Sequence, residues 1–122
     1  MTTAEAARRW AEEWKRAWEE HDPDRVAALY ADGACFRSAP FRDLQNPRAY
    51  AEWAFADEDS AEPHFGEAIV SGDRASVEWW AVSTSNGNDV TLAGVSLLRF
   101  DPAGLVVDQR DYWHLEEGRR EL

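Results

Sequence analysis

The chain has 122 residues, of which 44% are hydrophobic and 12% aromatic, a composition that predicts a single folded domain over residues 1–122. Asp and Glu outnumber Lys and Arg by 24 to 13, and the net charge of −11 disfavours nucleic acid and anionic membranes, which need a basic surface. The single cysteine cannot close an intramolecular disulfide, and three scattered histidines lack metal-ligand spacing, so we expect no metal and no cofactor.

The N-terminal segment is charged rather than apolar. Glu5, Arg8 and Arg9 interrupt it, which is not typical of a secretory signal peptide. No stretch approaches the roughly 18 apolar residues that a membrane-spanning helix needs. We therefore expect a soluble protein located in the cytoplasm.

Helical periodicity dominates the first part of the chain. Thr2 and Glu5 have the spacing of a capping box, and Trp10, Trp14 and Trp18 recur on one face of the helix that follows. This pattern predicts an amphipathic helix with three indoles on its buried face. A sheet is the expected cover for that face.

Two further helices are predicted by cap-and-proline pairs. Asp22-Pro23 and Asn46-Pro47 each combine a preferred N-cap residue with proline at the first helical position. His21 is expected to cap the end of the first helix. The second helix is expected to stop at Asp32-Gly33, and residues 34–38 then predict a short strand.

After residue 64 the sequence alternates with a period of two. Four strands are predicted, over residues 64–71, 74–85, 89–100 and 105–114, and turn signals separate them. The clearest signal is Asn86-Gly87, because both residues tolerate the positive φ of a tight hairpin. Three helices followed by this meander predict an α+β fold with a pocket at the open end of the sheet.

Two parts of the chain resemble a known family. Residues 18–22 (WEEHD) and 26–34 (VAALYADGA) resemble the opening of nuclear transport factor 2-like proteins. Residues 92–100 (LAGVSLLRF) and 110–113 (RDYW) resemble the closing strands of their SnoaL-like branch. The resemblance implies an α+β cone, in which a curved antiparallel sheet wraps around three N-terminal helices and encloses a deep apolar cavity. It also implies a homodimer through the outer sheet face.

The resemblance to individual enzymes of this family is partial. Ser38, Ser96 and Trp14 match the carboxylate base, the oxyanion-hole acid and the first-helix tyrosine of ketosteroid isomerases. Trp79 and Ala81 match the middle-strand Arg and Asp of limonene-type epoxide hydrolases. None of these residues can replace the original chemistry, so neither reaction is expected by its known mechanism.

Asp111 is the candidate catalytic residue. The resemblance matches it to the last-strand aspartate of the epoxide hydrolases and to the acid/base carboxylate of SnoaL-like cyclases. An apolar cavity would raise its pKa toward neutrality and suit it to proton transfer, while a hydrogen bond from Gln109 on the same face would partly offset the rise. The alternative is a surface aspartate, because polar residues occupy both faces of this strand.

The remaining candidates are expected to line the cavity and to bind a small apolar molecule. They are Trp14, Phe36, Ser38, Trp79, Ser96, Gln109, Trp113 and, at the cavity mouth, His64. The hydroxyls of Ser38 and Ser96 could hydrogen-bond a ligand carbonyl. Tyr30 and Tyr50 are expected to place hydroxyls at the rim. His64 could also supply a general base, although a structural or exposed histidine is the simpler interpretation.

Adjacent tryptophans predict an interface. Trp79 and Trp80 face opposite sides of one strand, so Trp79 is expected in the cavity and Trp80 on the outer face, where it predicts a homodimer contact. Cys35 is expected to be a small apolar residue.

Two hypotheses on function follow. The first is a cofactor-free cyclase, isomerase or hydrolase that uses Asp111 as acid/base on an apolar or polycyclic substrate. The second is a non-catalytic ligand-binding or dimerisation module.

Overall fold

The computed structural model describes all 122 residues and contains three helices and six strands. The helices are α1 (Thr3–Glu20), α2 (Pro23–Ala27) and α3 (Pro47–Ala56). The strands are β1 (Tyr30–Arg37), β2 (Ser60–Phe65), β3 (Ile69–Ser71), β4 (Arg74–Ser85), β5 (Asn88–Phe100) and β6 (Val106–Glu117). No helix is long and apolar enough to span a membrane.

The helix ends follow the local chemistry of the sequence. Thr2 Oγ1 accepts a hydrogen bond from the Glu5 amide, and the Glu5 carboxylate accepts one from the Thr2 amide, both at 3.1 Å. His21, with φ 54°, ends α1, while Asp22 and Asn46 cap α2 and α3. The predicted caps are therefore confirmed, because each depends on residues only two to four positions apart.

The strands form one curved, unclosed sheet in the order β1-β6-β5-β4-β2, with β3 also pairing with β4. All neighbours are antiparallel except β1 and β6, which are parallel. The Asn86-Gly87 turn joins β4 to β5, and both residues have positive φ. The predicted α+β cone, with a curved sheet wrapped around the helices, is confirmed.

Two boundaries differ from the prediction. Residues 64–71 are not one strand: β2 ends at Phe65, and β3 starts at Ile69 after a short break. In addition, β1 starts at Tyr30, because the buried Tyr30 side chain belongs to the core and its backbone pairs with Val106. Gly33, with φ 72°, lies in an irregular part of β1 and does not end a helix.

The core fills one end of the cone. The register pairs Ala75 on β4 with Leu98 on β5, and both are buried close to Phe100 and Val106. The buried face of α1 packs on β2 and β4. The other ends of β4, β5 and β6 are less filled, and they surround the site described next.

Candidate active site

A pocket of about 360 Å³ opens between α1, α3 and the concave face of the sheet, and its lining is mainly apolar. This volume lies within the range of small-molecule sites. A depression of about 380 Å³ on the outer sheet face is lined by residues such as Arg74 and Arg99. The depression and the pocket share no lining residue, and Asp111 lines only the pocket on the concave side.

Asp111 on β6 is 9% exposed, and its two carboxylate oxygens differ. Oδ1 accepts hydrogen bonds from Ser96 Oγ at 2.6 Å and from Gln109 Nε2 at 3.0 Å. Oδ2 receives none from the protein, yet it is not sealed, since Arg9 Nε and Arg25 Nε are the only fully buried side-chain N or O atoms without a partner. Oδ2 is therefore the oxygen that opens into the pocket.

Burial in this apolar site raises the pKa of Asp111 to about 7. The hydrogen bonds from Ser96 and Gln109 favour the ionised form and offset part of the rise. The carboxyl group therefore exchanges its proton near neutral pH, which suits both the donor and the acceptor role in general acid–base catalysis.

Indole groups orient both donors to Asp111. Trp79 Nε1 donates to Ser96 Oγ at 3.0 Å, so the Ser96 proton is directed to Asp111. Trp10 Nε1 donates to Gln109 Oε1 at 3.1 Å. An indole N–H can only donate, so the amide oxygen of Gln109 faces Trp10 and its NH₂ faces Asp111.

Tyr30 completes this network behind Gln109. Its hydroxyl donates to Gln109 Oε1 and accepts from Trp14 Nε1 at 2.9 Å. Burial raises the pKa of Tyr30, so the phenol remains neutral. The result is a fixed set of donors whose hydrogen bonds end at Asp111 Oδ1.

The mouth of the pocket contains a cation between aromatic rings. The Arg42 guanidinium carbon lies 5.5 Å from the centre of the Trp113 ring and 5.8 Å from that of Trp53. Tyr50 on α3 lines the same region, and its hydroxyl makes no hydrogen bond within the protein. Burial raises the pKa of Tyr50 to about 12, so this hydroxyl is a neutral donor.

A second carboxylate, Glu58, lines the pocket but has its hydrogen bonds satisfied. Its oxygens accept from Trp18 Nε1 at 3.0 and 3.2 Å and from Ser83 Oγ at 2.5 Å, and His21 Nε2 lies 2.8 Å away. Its side chain is only 8% exposed. Glu58 therefore differs from its acidic neighbours Asp57 and Asp59, which are both exposed to solvent.

Six of the predicted site residues line the pocket together: Trp14, Trp79, Ser96, Gln109, Asp111 and Trp113. The five residues on strands point inward in line with the strand alternation of the sequence, and Trp14 lies on the buried face of α1. Ser96 supports Asp111 with its hydroxyl and does not offer its proton to a ligand. Trp113 exposes its ring, because its Nε1 donates to the Ser38 carbonyl oxygen at 2.6 Å.

Three predicted site residues do not line the pocket. Phe36 is fully buried behind Tyr50, with ring centres 5.1 Å apart. The Ser38 hydroxyl is buried and donates to Gln45 Oε1 at 2.5 Å, so it is not available to a ligand. His64 is exposed on the outer face and stacks on Trp80 at 5.4 Å, because its neighbours on β2 occupy the inner face.

The other residues that the sequence analysis singled out lie partly where they were expected. Tyr30 lies behind Gln109 and not at the rim, whereas Tyr50 does reach the pocket. Cys35, expected to be a small apolar residue, is exposed to solvent on β1. Trp80 is on the outer face, half-buried under His64. Arg42 and Glu58 gave no strong signal in the sequence, since their positions depend on loop and helix packing.

Comparison with known proteins agrees with this architecture. Residues 8–109 match the family model of the SnoaL-like domain. No curated protein matches the sequence.

Several solved structures share the fold. The epoxide hydrolase/cyclase-like enzyme SalBIII, with a role in pyran ring formation in the polyether salinomycin, is 18% identical with a TM-score of 0.80, over 96% of this chain and 100% of that one. RV0760c from Mycobacterium tuberculosis is 22% identical with a TM-score of 0.78, over 97% and 100%. An LEH-like epoxide hydrolase from M. tuberculosis is 18% identical with a TM-score of 0.70, over 92% and 82%. The chain has the nuclear transport factor 2-like fold of its structural neighbours, and it belongs to the SnoaL-like domain family.

Proposed function

We propose that the protein is a cofactor-free enzyme in which Asp111 acts as general acid and base on a small, mainly apolar molecule bound in the pocket. The observation that supports this role most directly is the asymmetry of the Asp111 carboxyl group. Ser96 and Gln109 fix Oδ1, while Oδ2 opens into the pocket without a protein partner. A deeply buried carboxylate with only a structural role has both oxygens hydrogen-bonded as a rule, whereas Oδ2 here is left for a molecule that enters the pocket.

This asymmetry supports Oδ2 as the oxygen that carries the catalytic proton. Oδ1 already accepts two hydrogen bonds, so the neutral acid holds its proton on Oδ2. From there the proton can pass to a substrate oxygen, such as that of an epoxide or a carbonyl. The resulting carboxylate then takes a proton from attacking water, from a substrate hydroxyl or from an acidic carbon, which restores the neutral acid.

The reaction class that fits this single acid–base group is a cyclisation, an isomerisation or a hydrolysis. The description of SalBIII as epoxide hydrolase/cyclase-like supports chemistry at a strained or polarised oxygen. The apolar lining supports a substrate that is mostly hydrocarbon. Trp79 and Ala81 provide no second charged group on the middle strand, so Asp111 has to perform both proton transfers.

Turnover of a panel of small epoxides and enolisable ketones tests the proposal. Incorporation of labelled water oxygen reports hydrolysis, and deuterium uptake reports enolisation. Asp111→Asn keeps the shape of the side chain and removes the exchangeable acid, so activity should fall by about 10²–10⁴-fold. Asp108→Asn is the matched control, because Asp108 lies on the same strand but faces the outside next to Arg110. Undiminished turnover by Asp111→Asn would exclude the acid–base role.

The second candidate function is ligand binding without turnover. It is favoured by the absence of a second buried carboxylate that is free to act, because the oxygens of Glu58 are occupied by side-chain partners and Asp57, the third acid of the lining, is exposed. In that case a ligand would bind to the wild type and to Asp111→Asn alike, and no product would form. Binding and turnover measured on the same two proteins therefore separate the two functions.

A further inference from the structure

Arg42 lies in the wall of the pocket, and its guanidinium forms no ion pair with any carboxylate of the protein. It lies between β1 and α3, half-buried, with its guanidinium near the faces of Trp53 and Trp113. No carboxylate lies within 4 Å of it, although acids exceed bases by 11 in this chain. By contrast, the part-buried Arg25 pairs with Glu13 at 2.7 Å.

The missing partner is significant because a partly desolvated cation is costly. Contacts with two indole faces compensate for only part of the lost hydration. A guanidinium has five N–H donors, and Arg42 uses one of its amino groups in a hydrogen bond to Ser38 Oγ at 2.9 Å. The other donors have no partner in the protein, and Arg42 is the only cation in the pocket lining.

The position of Arg42 is set by the wall around it. Ser38 accepts from Arg42 through Oγ and from Trp113 Nε1 through its backbone oxygen. Gln45 in turn accepts from the Ser38 hydroxyl at 2.5 Å. The buried Ser38 thus fixes both the cation and one of the rings that it faces, so the guanidinium is preorganised rather than freely mobile.

Tyr50 connects this cation with the acid–base group. Its hydroxyl makes no hydrogen bond within the protein and lines the same pocket. Its ionisation is disfavoured by the charge of Asp111 and favoured by that of Arg42, so it lies within range of both. A ligand that reaches from Arg42 to Asp111 would pass this free donor.

We infer that the pocket binds monoanionic carboxylates with an apolar body, and that Arg42 holds the carboxylate. Charge-assisted hydrogen bonds from a guanidinium to a carboxylate would supply the counter-ion that the protein omits. The aromatic walls would contact the apolar body. The inference rests on the proposed function only where it places the reacting end of the molecule near Asp111. The preference for an anion is independent of it, since binding can be measured without turnover.

Three ligands with the same ring system test the inference by calorimetry: naphthoate, naphthamide and naphthylmethylammonium. The intact protein should bind naphthoate about tenfold or more tightly than the neutral amide, and the ammonium compound most weakly. Arg42→Gln should abolish the preference for naphthoate and leave naphthamide binding unchanged. Arg37→Gln is the matched control, since it removes the same charge from the exposed face of β1 and should retain the preference.

Several outcomes would overturn the inference. These are equal affinity of the intact protein for naphthoate and naphthamide, tighter binding of the ammonium compound, or no measurable binding of naphthoate. The comparison of ligands on the intact protein needs no variant, so it stands even if Arg42→Gln does not fold. Asp111→Asn should retain the preference, which separates failure of anion recognition from failure of the acid–base role.

Discussion

The protonation of Asp111 is linked to the stability of the fold. The pKa of this carboxyl is raised from its ordinary value of 3.8 to about 7, chiefly by burial. Between these two pH values the native state binds a proton that the unfolded state has lost. The contribution of this group to the stability of the fold is therefore greatest below pH 3.8 and is lost as the pH rises through 7. Asp111→Asn stays neutral throughout and lacks this dependence.

The size of the effect follows from the two pKa values. At about 1.36 kcal/mol for each pKa unit, the separation between 3.8 and about 7 corresponds to about 4 kcal/mol of unfolding free energy. Part of this free energy is lost below about pH 5, where the other carboxylates of the protein also titrate. Between about pH 5 and about pH 8.5, the wild type should lose about 2.5 kcal/mol relative to Asp111→Asn.

Urea unfolding of both proteins across that pH range measures this difference directly. Other titrating groups are common to both proteins, so they cancel in the difference between the two unfolding free energies. Asp108→Asn should follow the wild type at every pH, because Asp108 is on the outer face. A difference that stays constant with pH, or that favours the wild type as the pH rises, would refute the assignment of a buried acid at this position.

Three further predictions concern packing, the polar network and assembly. Gly94→Ala should lower stability by about 2 kcal/mol or more in thermal unfolding, since its Cβ would lie 2.2 Å from a backbone oxygen of β6. Gly66→Ala is the control and should cost less, because its Cβ would meet no atom closer than 3.4 Å. Ser96→Ala should raise the pKa of Asp111 further, as measured by NMR, because a hydrogen bond that favours the ion is lost. We propose a homodimer through the outer sheet face: sedimentation should give about twice the 13.9 kDa chain mass, and Trp80→Ala should weaken association, while a monomer at micromolar concentration would contradict it.

The fold could be predicted because its signals are local. The caps at Thr2, Asp22 and Asn46 involve neighbouring residues, and the alternation in β4 to β6 repeats over many positions. The same alternation placed Asp111 and Gln109 on one face. Turn signals were misleading at Gly33, where an irregular strand tolerates the positive φ that the sequence suggested would end a helix.

The details of the site depend on long-range packing and could not be predicted. The contact of Trp10 with Gln109 joins opposite ends of the chain, and no periodicity in the sequence encodes it. Arg42 lies in a loop, where neither the helical nor the strand periodicity predicts the direction of a side chain. His64 was assigned to the mouth because it begins the predicted strand, but β2 starts earlier and the alternation directs this side chain outward. The family match ends at residue 109, so it does not include Asp111.

The central claim is that Asp111 is a proton-exchanging acid in the pocket, and a carbon-13 NMR titration of its carboxyl group tests it most directly. Selective labelling with Asp111→Asn as the assignment control identifies its resonance. We predict a titration midpoint near 7, where the proton leaves Oδ2. A midpoint at or below about 3.9, the value of an unperturbed aspartate, would contradict the claim.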